Sequence, residues 1–468
     1  MPLTDPDRLF PAEPRLRGLA RALYEQVRDL PILSPHGHCD PRWFADDARF
    51  PDPAALFVTP DHYVLRMLVS RGVPHADLGV PRRDGGSVEA DPRAIWRRFA
   101  EHFHLFRGAP SAMWLEHAFE QVFGLDAPLG AATADAHFDA IEAQLASPAF
   151  RPRALFDRFG IEVLATTDSA LDDLSAHRAI RESGWPGRVI PTYRPDAVVD
   201  PEHEGFAANL DRLGEITGED TGRWAGYLAA HRARRSHFRD MGATATDHGH
   251  PTARTADLPQ AEAAALFDAV RAGRATPDEA ELFRAQMLTE MARMSLEDGL
   301  VMQLHAGSHR NHSAAVFGMH GRDAGFDIPT RTDWVGGLKP LLDAVGLDPR
   351  LTLIPFTLDE TTYGRELAPL AGAYPALRLG PPWWFFDSAE GIRRYREAVT
   401  ETCGFYNTAG FNDDTRAFCS IPARHDVVRR ADCAYLATLV GTGRLRETEA
   451  QELARDLTVT LARDAYRL

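Results

Sequence analysis

Residues 31–40 read PILSPHGHCD, a short apolar run that ends in polar residues, and seven later runs have the same form. They are IEVLATTD (161–168), RVIPTYRPD (188–196), GATATDHG (242–249), GLVMQLHAG (299–307), RLTLIPFTLD (350–359), LRLGPPWW (377–384) and FYNTAGFNDD (405–414). Helix-like segments such as ALDDLSAHRAIRESG lie between them. Strands that alternate with helices predict parallel βα units, and eight units predict a TIM-like (β/α)₈ barrel whose active site lies where the strands end. An open doubly wound sheet is the alternative, because periodicity cannot show closure.

The spacing of the runs also predicts the domain organisation. About 120 residues separate the first two runs, which is too long for a single crossover. Segments such as WLEHAFEQVFGL in this interval have helical apolar spacing. We therefore expect an N-terminal helical segment over residues 1–30 and a barrel over 31–468. A helical insertion at about 45–155 would interrupt the barrel, and C-terminal helices at 426–468 would pack on it.

Composition excludes several classes of partner. The chain has 52 basic and 67 acidic residues, a formal charge of −15, and no run of five Lys or Arg residues. A net negative charge of this size repels nucleic acid and anionic membranes. The N-terminus lacks the apolar region of a secretory signal, and no apolar run is long enough to span a bilayer. We expect a small-molecule substrate, and the possibility of a homo-oligomer stays open.

Cysteine and lysine usage narrows the chemistry. Cys39, Cys403, Cys419 and Cys433 have no CxxC spacing, so we interpret them as reduced thiols of a cytoplasmic protein. Lys339 is the only lysine, which excludes a GxxxxGK[ST] phosphate loop and restricts Schiff-base chemistry to that position. The sequence also lacks GxGxxG and GxSxG patterns.

Two of the run ends carry candidate metal ligands. His36 and His38 are two residues apart, so on a strand both imidazoles point into the barrel. Asp414 and Arg416 share a face at the end of the last run, which lies beside the first run in a closed barrel. Two imidazoles and one carboxylate form a plausible Zn²⁺ set with an open position. Hydrogen-bonded histidines and a turn at Asp414 are the alternative.

A His-x-His on the first strand with an Asp on the last resembles the amidohydrolase superfamily of metal-dependent hydrolases. Within it, the chain from about residue 8 to the C-terminus closely resembles the uronate (glucuronate) isomerase family. The shared motifs are PHGHCD, DHYVLRM, ATTDSALDDL, TYRPD, TDHGH, MQLHAGSHRNH, WWFFD and DDTRAF. Binuclear members often use a carboxylated lysine on the fourth strand, where this chain has TATDHGH. A mononuclear site with one divalent ion, expected to be zinc, follows.

The resemblance implies interconversion of D-glucuronate with D-fructuronate and of D-galacturonate with D-tagaturonate. A proton leaves C2 and another reaches C1 through an enediolate. The base at C2 stays open among Asp414, a metal-bound hydroxide and Tyr63. Tyr63, with its neighbour His62, matches the His-Tyr pair of the family and could move a proton at C1 or O1. Arg416 would stabilise the enediolate or orient Asp414.

The resemblance also implies substrate-binding residues. Arg194 offers a planar set of donors for a carboxylate, although a salt bridge with Asp196 is the alternative. Arg310 and Asn311 match an Arg-Asn pair of the family. The remaining candidates are His248 and His305, each for substrate contact first and metal second, and Trp384, whose indole could donate a hydrogen bond and cover a sugar face.

Two other functions use the same residues. A mononuclear hydrolase or deaminase would activate water at the His-His-Asp site. A non-catalytic sugar-acid binding protein would keep the fold without turnover. Incubation with galacturonate in D₂O distinguishes them, because only the isomerase places deuterium on the exchanged carbon without hydrolysis.

Overall fold

The computed structural model describes residues 4–468 and contains ten short strands over that range. Their bounds are β1 Ile32–Ser34, β2 Ile161–Ala165, β3 Asp168–Ser169, β4 Arg188–Ile190, β5 Tyr193–Arg194, β6 Ala245–His250, β7 Val301–Ala306, β8 Ser308–His309, β9 Ile328–Pro329 and β10 Leu353–Thr357. All pair in parallel except β8 and β9, which form an antiparallel hairpin. The parallel strands form two sheets, ordered β1-β2-β4 and β10-β7-β6-β5-β3.

Backbone hydrogen bonds join these sheets into one ring. The amide of Thr166, between β2 and β3, donates to Ile190 at 2.9 Å, so each pair of short strands continues one barrel strand. Parallel bridges link Leu353 to Leu377 and Leu379 to Thr408. The ring closes where the Asp414 amide donates to His36 O at 3.3 Å and the His38 amide donates to Thr415 O at 3.0 Å. The predicted (β/α)₈ barrel is confirmed, and the open sheet is wrong.

The last two barrel positions differ from regular strands. Where extended runs were expected at 377–384 and 405–414, the structure has isolated bridges. Pro381 and Pro382 lack amide donors and therefore cannot continue a ladder. The turn Trp384–Phe386 follows directly. Both segments still bring their polar ends to the barrel mouth.

Helices surround the ring. Between β1 and β2 lie α2 Pro41–Asp46, α3 Pro53–Phe57, α4 His62–Val69, α5 Pro92–Glu101, α6 Pro110–His117, α7 Ala134–Leu145 and α8 Pro152–Arg158. Proline at the first helical position recurs here, in α2, α3, α5, α6 and α8, where its missing amide costs no hydrogen bond. This region has its own apolar cluster around Trp96, Phe99 and Phe119.

Further helices pack on the outside of the barrel strands. They are α9 Ser175–Glu182, α10 Asp196–Val199, α11 Phe206–Thr217, α12 Trp224–Asp240, α13 Gln260–Arg271, α14 Pro277–Asp298, α15 Ala314–His320, α16 Trp334–Val345, α17 Ala368–Ala371 and α18 Ala389–Cys403. The largest apolar cluster lies between these helices and strands β6, β7 and β10. Every residue of β7 is buried, as expected for a parallel strand covered on both faces.

The two ends of the chain pack together. Helix α1 Pro14–Val27 contacts α19 Ile421–Gly441 and α20 Glu447–Arg455, and α21 Leu461–Tyr466 ends the chain. None of the helices in residues 4–468 is long and apolar enough to cross a membrane. The four cysteines are free and buried.

The hairpin β8–β9 carries α15 over the barrel mouth, and the helical insertion holds it there. The amide of Arg83 donates to Met319 O at 2.8 Å, and His320 Nδ1 lies 3.0 Å from Pro81 O. Because the insertion and the hairpin meet in this way, the mouth is covered from two sides.

Candidate active site

A cavity of about 430 Å³ opens at the carboxyl ends of the strands, where a (β/α)₈ barrel places its active site. Its walls include nine of the residues expected from the sequence: His38, His62, Tyr63, Arg194, Arg310, Asn311, Trp384, Asp414 and Arg416. His36 and His305 lie just below this surface, with their rings stacked 4.5 Å apart.

Ring closure brings His36, His38 and Asp414 to one point. Oδ1 of Asp414 lies 3.3 Å from Nε2 of His36 and 3.1 Å from Nε2 of His38. Within residues 4–468 this buried oxygen has no hydrogen-bond partner. One ligand atom from each of the three residues lies within 4.8 Å of the others. Two imidazole nitrogens and an unsatisfied carboxylate oxygen that converge in this way fit a divalent cation.

Local backbone geometry produces this convergence. His36 and His38 flank Gly37, which lies against the last strand where the ring closes: an added Cβ would lie 3.4 Å from Thr415 O. Asp414 has a φ of +41°, a left-handed conformation that aspartate tolerates better than most residues. The carboxylate therefore turns toward the first strand.

A second buried group lies beside the first. His305 Nδ1 is 2.6 Å from Oδ1 of Asp247, and Arg194 Nη1 is 3.1 Å from Oδ2 of the same carboxylate. Burial disfavours the charged form, but Arg194 and His305 hold the pKa of Asp247 well below its usual range. Asp247 is thus an ionised carboxylate that already has two partners.

The structure places His248 away from the cavity lining. Along β6 successive side chains alternate, and Asp247 takes the face toward the barrel interior. His248 takes the opposite face, where its Nε2 shares a 2.9 Å hydrogen bond with the hydroxyl of Thr246, and it does not line the cavity among the described residues. Burial lowers the pKa of His248 to about 3, so the ring is neutral. Asp247 is the residue of this strand that faces the site.

Comparison with known proteins identifies the group to which the chain is similar. The glucuronate isomerase family model matches residues 16–466. The chain belongs to the glucuronate isomerase family. It is 66% identical over 466 residues to the uronate isomerase of Rhizobium meliloti (strain 1021), covering 100% of this chain and 99% of that one.

Comparison with solved structures supports the same family assignment. A glucuronate isomerase from Caulobacter crescentus superposes with a TM-score of 0.98 at 60% identity, covering 100% of this chain and 98% of that one. The uronate isomerase from Thermotoga maritima superposes with a TM-score of 0.91 at 27% identity, covering 99% of each chain. The family resemblance noted in the sequence is therefore confirmed over the whole barrel and its insertion.

In this glucuronate isomerase family member, the His-Tyr pair begins α4. Asp61 caps the helix by accepting the Tyr63 amide at 2.8 Å, which points the first turn into the cavity. The Tyr63 hydroxyl donates to Oδ2 of Asp387 at 2.8 Å. Burial and the nearby Arg416 cation hold the pKa of His62 well below its usual range, so this imidazole is neutral.

The arginines around the cavity differ in how fully they are paired. Arg194 lies 2.8 Å from Asp196 as well as 3.1 Å from Asp247, so the salt bridge with Asp196 is present while the guanidinium also lines the cavity. Arg310 lies 3.3 Å from Asp327, and Arg416 lies 3.5 Å from Asp323. Arg322 lines the same cavity, and the described part of the chain offers it no carboxylate partner.

Trp384 lies at the wall of the cavity with an available donor. Its side chain is buried, and its Nε1 has no hydrogen-bond partner among residues 4–468. The backbone φ of +53° sets the indole in this position. His62 contacts the indole edge to face, with ring centroids 5.0 Å apart.

Sequence reasoning missed four residues of the site: Asp247, Arg322, Asp323 and Asp387. Asp247 could have been found, because neighbouring side chains on a strand point to opposite faces, so that either Asp247 or His248 faces the barrel interior. Asp387 closes the quoted WWFFD motif, but its contact with Tyr63 spans more than three hundred residues. Arg322 and Asp323 lie in the segment between α15 and β9, whose position no periodicity predicts.

Proposed function

We propose that this chain isomerises hexuronates, interconverting D-glucuronate with D-fructuronate and D-galacturonate with D-tagaturonate. One observation carries the proposal: a single cavity combines the His36, His38 and Asp414 group with Tyr63 and several guanidinium groups. The reaction needs proton carriers, cationic donors for an enediolate and recognition of an anionic sugar, and these residues supply all three. Membership of the glucuronate isomerase family supports the same activity.

His36, His38 and Asp414 would hold one divalent cation, and we propose zinc because two imidazoles and a carboxylate are ligands that zinc favours. When bound, the ion would withdraw electron density from the substrate and favour loss of the proton at C2. The neighbouring Asp247 would orient side chains rather than hold a second ion, since it already pairs with His305 at 2.6 Å and with the Arg194 cation at 3.1 Å.

Proton transfer at carbon is assigned to Asp414. His36 and His38 hold the pKa of this carboxylate well below its usual range, so it is ionised near neutral pH. It would take the proton from C2 and return it to C1. Tyr63, whose pKa burial raises well above its usual range, keeps its own proton and would act at the sugar oxygens.

Charge on the enediolate is assigned to Arg416. Its guanidinium lines the cavity beside Asp414 and lies 3.5 Å from Asp323. Partial burial opposes ionisation of Asp323, but the Arg416 cation holds its pKa at about 2. A guanidinium at this position would stabilise developing negative charge on the enediolate.

The substrate carboxylate is assigned to Arg322. Arg194 already has two carboxylate partners and Arg310 has one, whereas Arg322 has none in the part of the chain that the structure describes. An unpaired guanidinium at the cavity wall provides two parallel donors for a carboxylate. The free Nε1 of Trp384 would donate to a sugar hydroxyl.

The test is an assay of both uronates with purified protein in D₂O, monitored by NMR, before and after chelation. We expect the keto isomer to form with deuterium at the exchanged carbon and without hydrolysis. Chelation should abolish turnover, and Zn²⁺ should restore it. A chain that binds the uronates without converting them, or that releases a hydrolysis product, would contradict the proposal.

A further inference from the structure

Tyr63 lines the cavity, but its O–H bond is directed at an acid outside the cavity lining. It donates to Oδ2 of Asp387 at 2.8 Å, and Asp387 is not among the described residues that line the cavity. Because the phenol keeps its proton, this hydrogen bond fixes where that proton lies. The lone pairs of the phenol oxygen are therefore left for a donor in the cavity.

Asp387 is itself held from a second side. Nη1 of Arg424 donates to the same Oδ2 at 2.8 Å and to the carbonyl of Asp413 at 3.3 Å. The Arg424 guanidinium lies 3.6 Å from the ring centroid of Trp114, and the side chains of Arg424 and Asp387 are only 3% and 9% exposed. A buried charge pair of this kind has one geometry available, so Tyr63 is presented in one orientation.

The other oxygen of Asp387 is not used. Its Oδ1 is buried without a hydrogen-bond partner among residues 4–468. Burial also raises the pKa of Asp387 to about 6, although Arg424 opposes this shift. Temporary protonation of this carboxylate therefore has a low free-energy cost near neutral pH.

Isomerisation moves two protons, not one. Besides the transfer from C2 to C1, the hydroxyl at C2 loses its proton to become a carbonyl, and O1 gains one to become a hydroxyl. A group that accepts a hydrogen bond from one oxygen and returns a proton to the other satisfies this requirement. If the Tyr63 proton pointed into the cavity instead, the phenol oxygen could not accept a hydrogen bond from the substrate.

We propose that Asp387 is the positioning residue of this reaction, and that it fixes Tyr63 as a hydrogen-bond acceptor toward the C2 hydroxyl of the substrate. As the O2 proton moves to the Tyr63 oxygen, the phenol proton moves to Asp387. Asp387 then returns its proton to the Tyr63 oxygen, and the phenol proton of Tyr63 passes to O1. Tyr63 and Asp387 are therefore in their starting protonation states after turnover. This inference rests on the proposed isomerase function.

The test is a double-mutant cycle with Asp387→Asn and Tyr63→Phe. We expect each single variant to lower kcat by about tenfold to a hundredfold, with KM changed less than about threefold. The double variant should be no slower than the slower single variant, because both changes remove the same relay. Asp432→Asn is the matched control, since it breaks another buried pair, with Arg396 at 2.7 and 2.9 Å, that does not line the cavity among the described residues. It should keep the wild-type kcat.

Three results would overturn the role of Asp387: a wild-type kcat in Asp387→Asn, losses that multiply in the double variant, or an equal loss in Asp432→Asn. If Asp387→Asn does not fold, Asp387→Glu keeps the charge opposite Arg424 but displaces the carboxylate from Tyr63. Its kcat should fall, and this loss should vanish in the Tyr63→Phe background; an unchanged kcat again overturns the role. A wild-type chain that isomerises neither uronate contradicts the proposed function instead.

Discussion

Two groups of histidine and carboxylate side chains share His36 and differ in how they are satisfied. In the first, Oδ1 of Asp414 faces His36 and His38 at 3.3 and 3.1 Å and accepts no hydrogen bond from the described residues. In the second, Asp247 pairs with His305 at 2.6 Å and with Arg194 at 3.1 Å. The Asp247 group is fully buried and the Asp414 group is partly exposed, and each could supply three ligand atoms to a cation.

The difference shows that ligand types and spacing do not by themselves make a metal site. In the Asp247 group, Oδ1 shares a 2.6 Å hydrogen bond with His305 and the Arg194 cation lies 3.1 Å from Oδ2, so a metal ion there would compete with a guanidinium. Asp414 faces two imidazoles but has no guanidinium within ion-pair distance among the described residues, so a metal ion there would supply the positive charge that Arg194 supplies to Asp247. We therefore expect the Asp414 group to bind the ion and the Asp247 group to orient neighbouring side chains.

Replacement of Asp414 should have the largest effect. Asp414→Asn removes the proposed proton acceptor and a proposed metal ligand, so we expect kcat to fall by about 10³-fold or more. Metal content, measured by plasma emission on the purified protein, should fall from one ion per chain. A variant with near-normal turnover and full metal content would show that the ion lies elsewhere.

Loss of the guanidinium charge of Arg416 should have the second-largest effect on kcat. Arg416→Met keeps the length of the side chain but removes the charge proposed to stabilise the enediolate, and we expect kcat to fall by about 10²-fold. Metal content should stay at the wild-type value, which separates this variant from Asp414→Asn. If Arg416→Met and the wild type had equal kcat/KM values, Arg416 would have no role in the mechanism.

Asp247→Asn tests the second group directly. It removes a charge opposite Arg194 and His305, and we expect kcat to fall by about tenfold while one ion per chain remains bound. Steady-state kinetics and metal analysis of the same preparation provide the check. If Asp247→Asn loses the ion as fully as Asp414→Asn does, the proposed distinction between the two groups is wrong.

The paired and unpaired arginines extend the comparison to the substrate. Arg322→Met should raise KM for both uronates by about tenfold with little change in kcat, because a carboxylate contact made throughout the reaction is uniform binding. Initial-rate measurements over a range of uronate concentrations give both constants. A lowered kcat at constant KM would instead place Arg322 at the reacting carbons.

The smallest effect on activity is expected at His248, on the outer face of β6. His248→Asn should leave KM and kcat within about twofold of wild type, since the side chain does not line the cavity among the described residues. Loss of the hydrogen bond with Thr246 should lower the free energy of unfolding by about 1 kcal/mol, measured by urea denaturation. A tenfold rise in KM would mean that His248 reaches the substrate after all.

The barrel could be predicted from the sequence because each apolar run and the polar residues that end it are features of a few neighbouring residues. Alternating apolar runs and helices depend on spacing within a few residues, and the family motifs are likewise short. These features identified the (β/α)₈ fold, the glucuronate isomerase family and the residues at the strand ends. They did not predict that the seventh and eighth positions are isolated bridges, because prolines interrupt the ladder there.

The sequence alone therefore determined which chemical groups the chain carries and at which strand ends they lie. The tertiary structure decided their partners: which side of β6 faces the cavity, which arginines are already paired, and which acid lies behind Tyr63. The physical reason is that a side chain's availability depends on groups hundreds of residues away. Only folding brings them within hydrogen-bond distance.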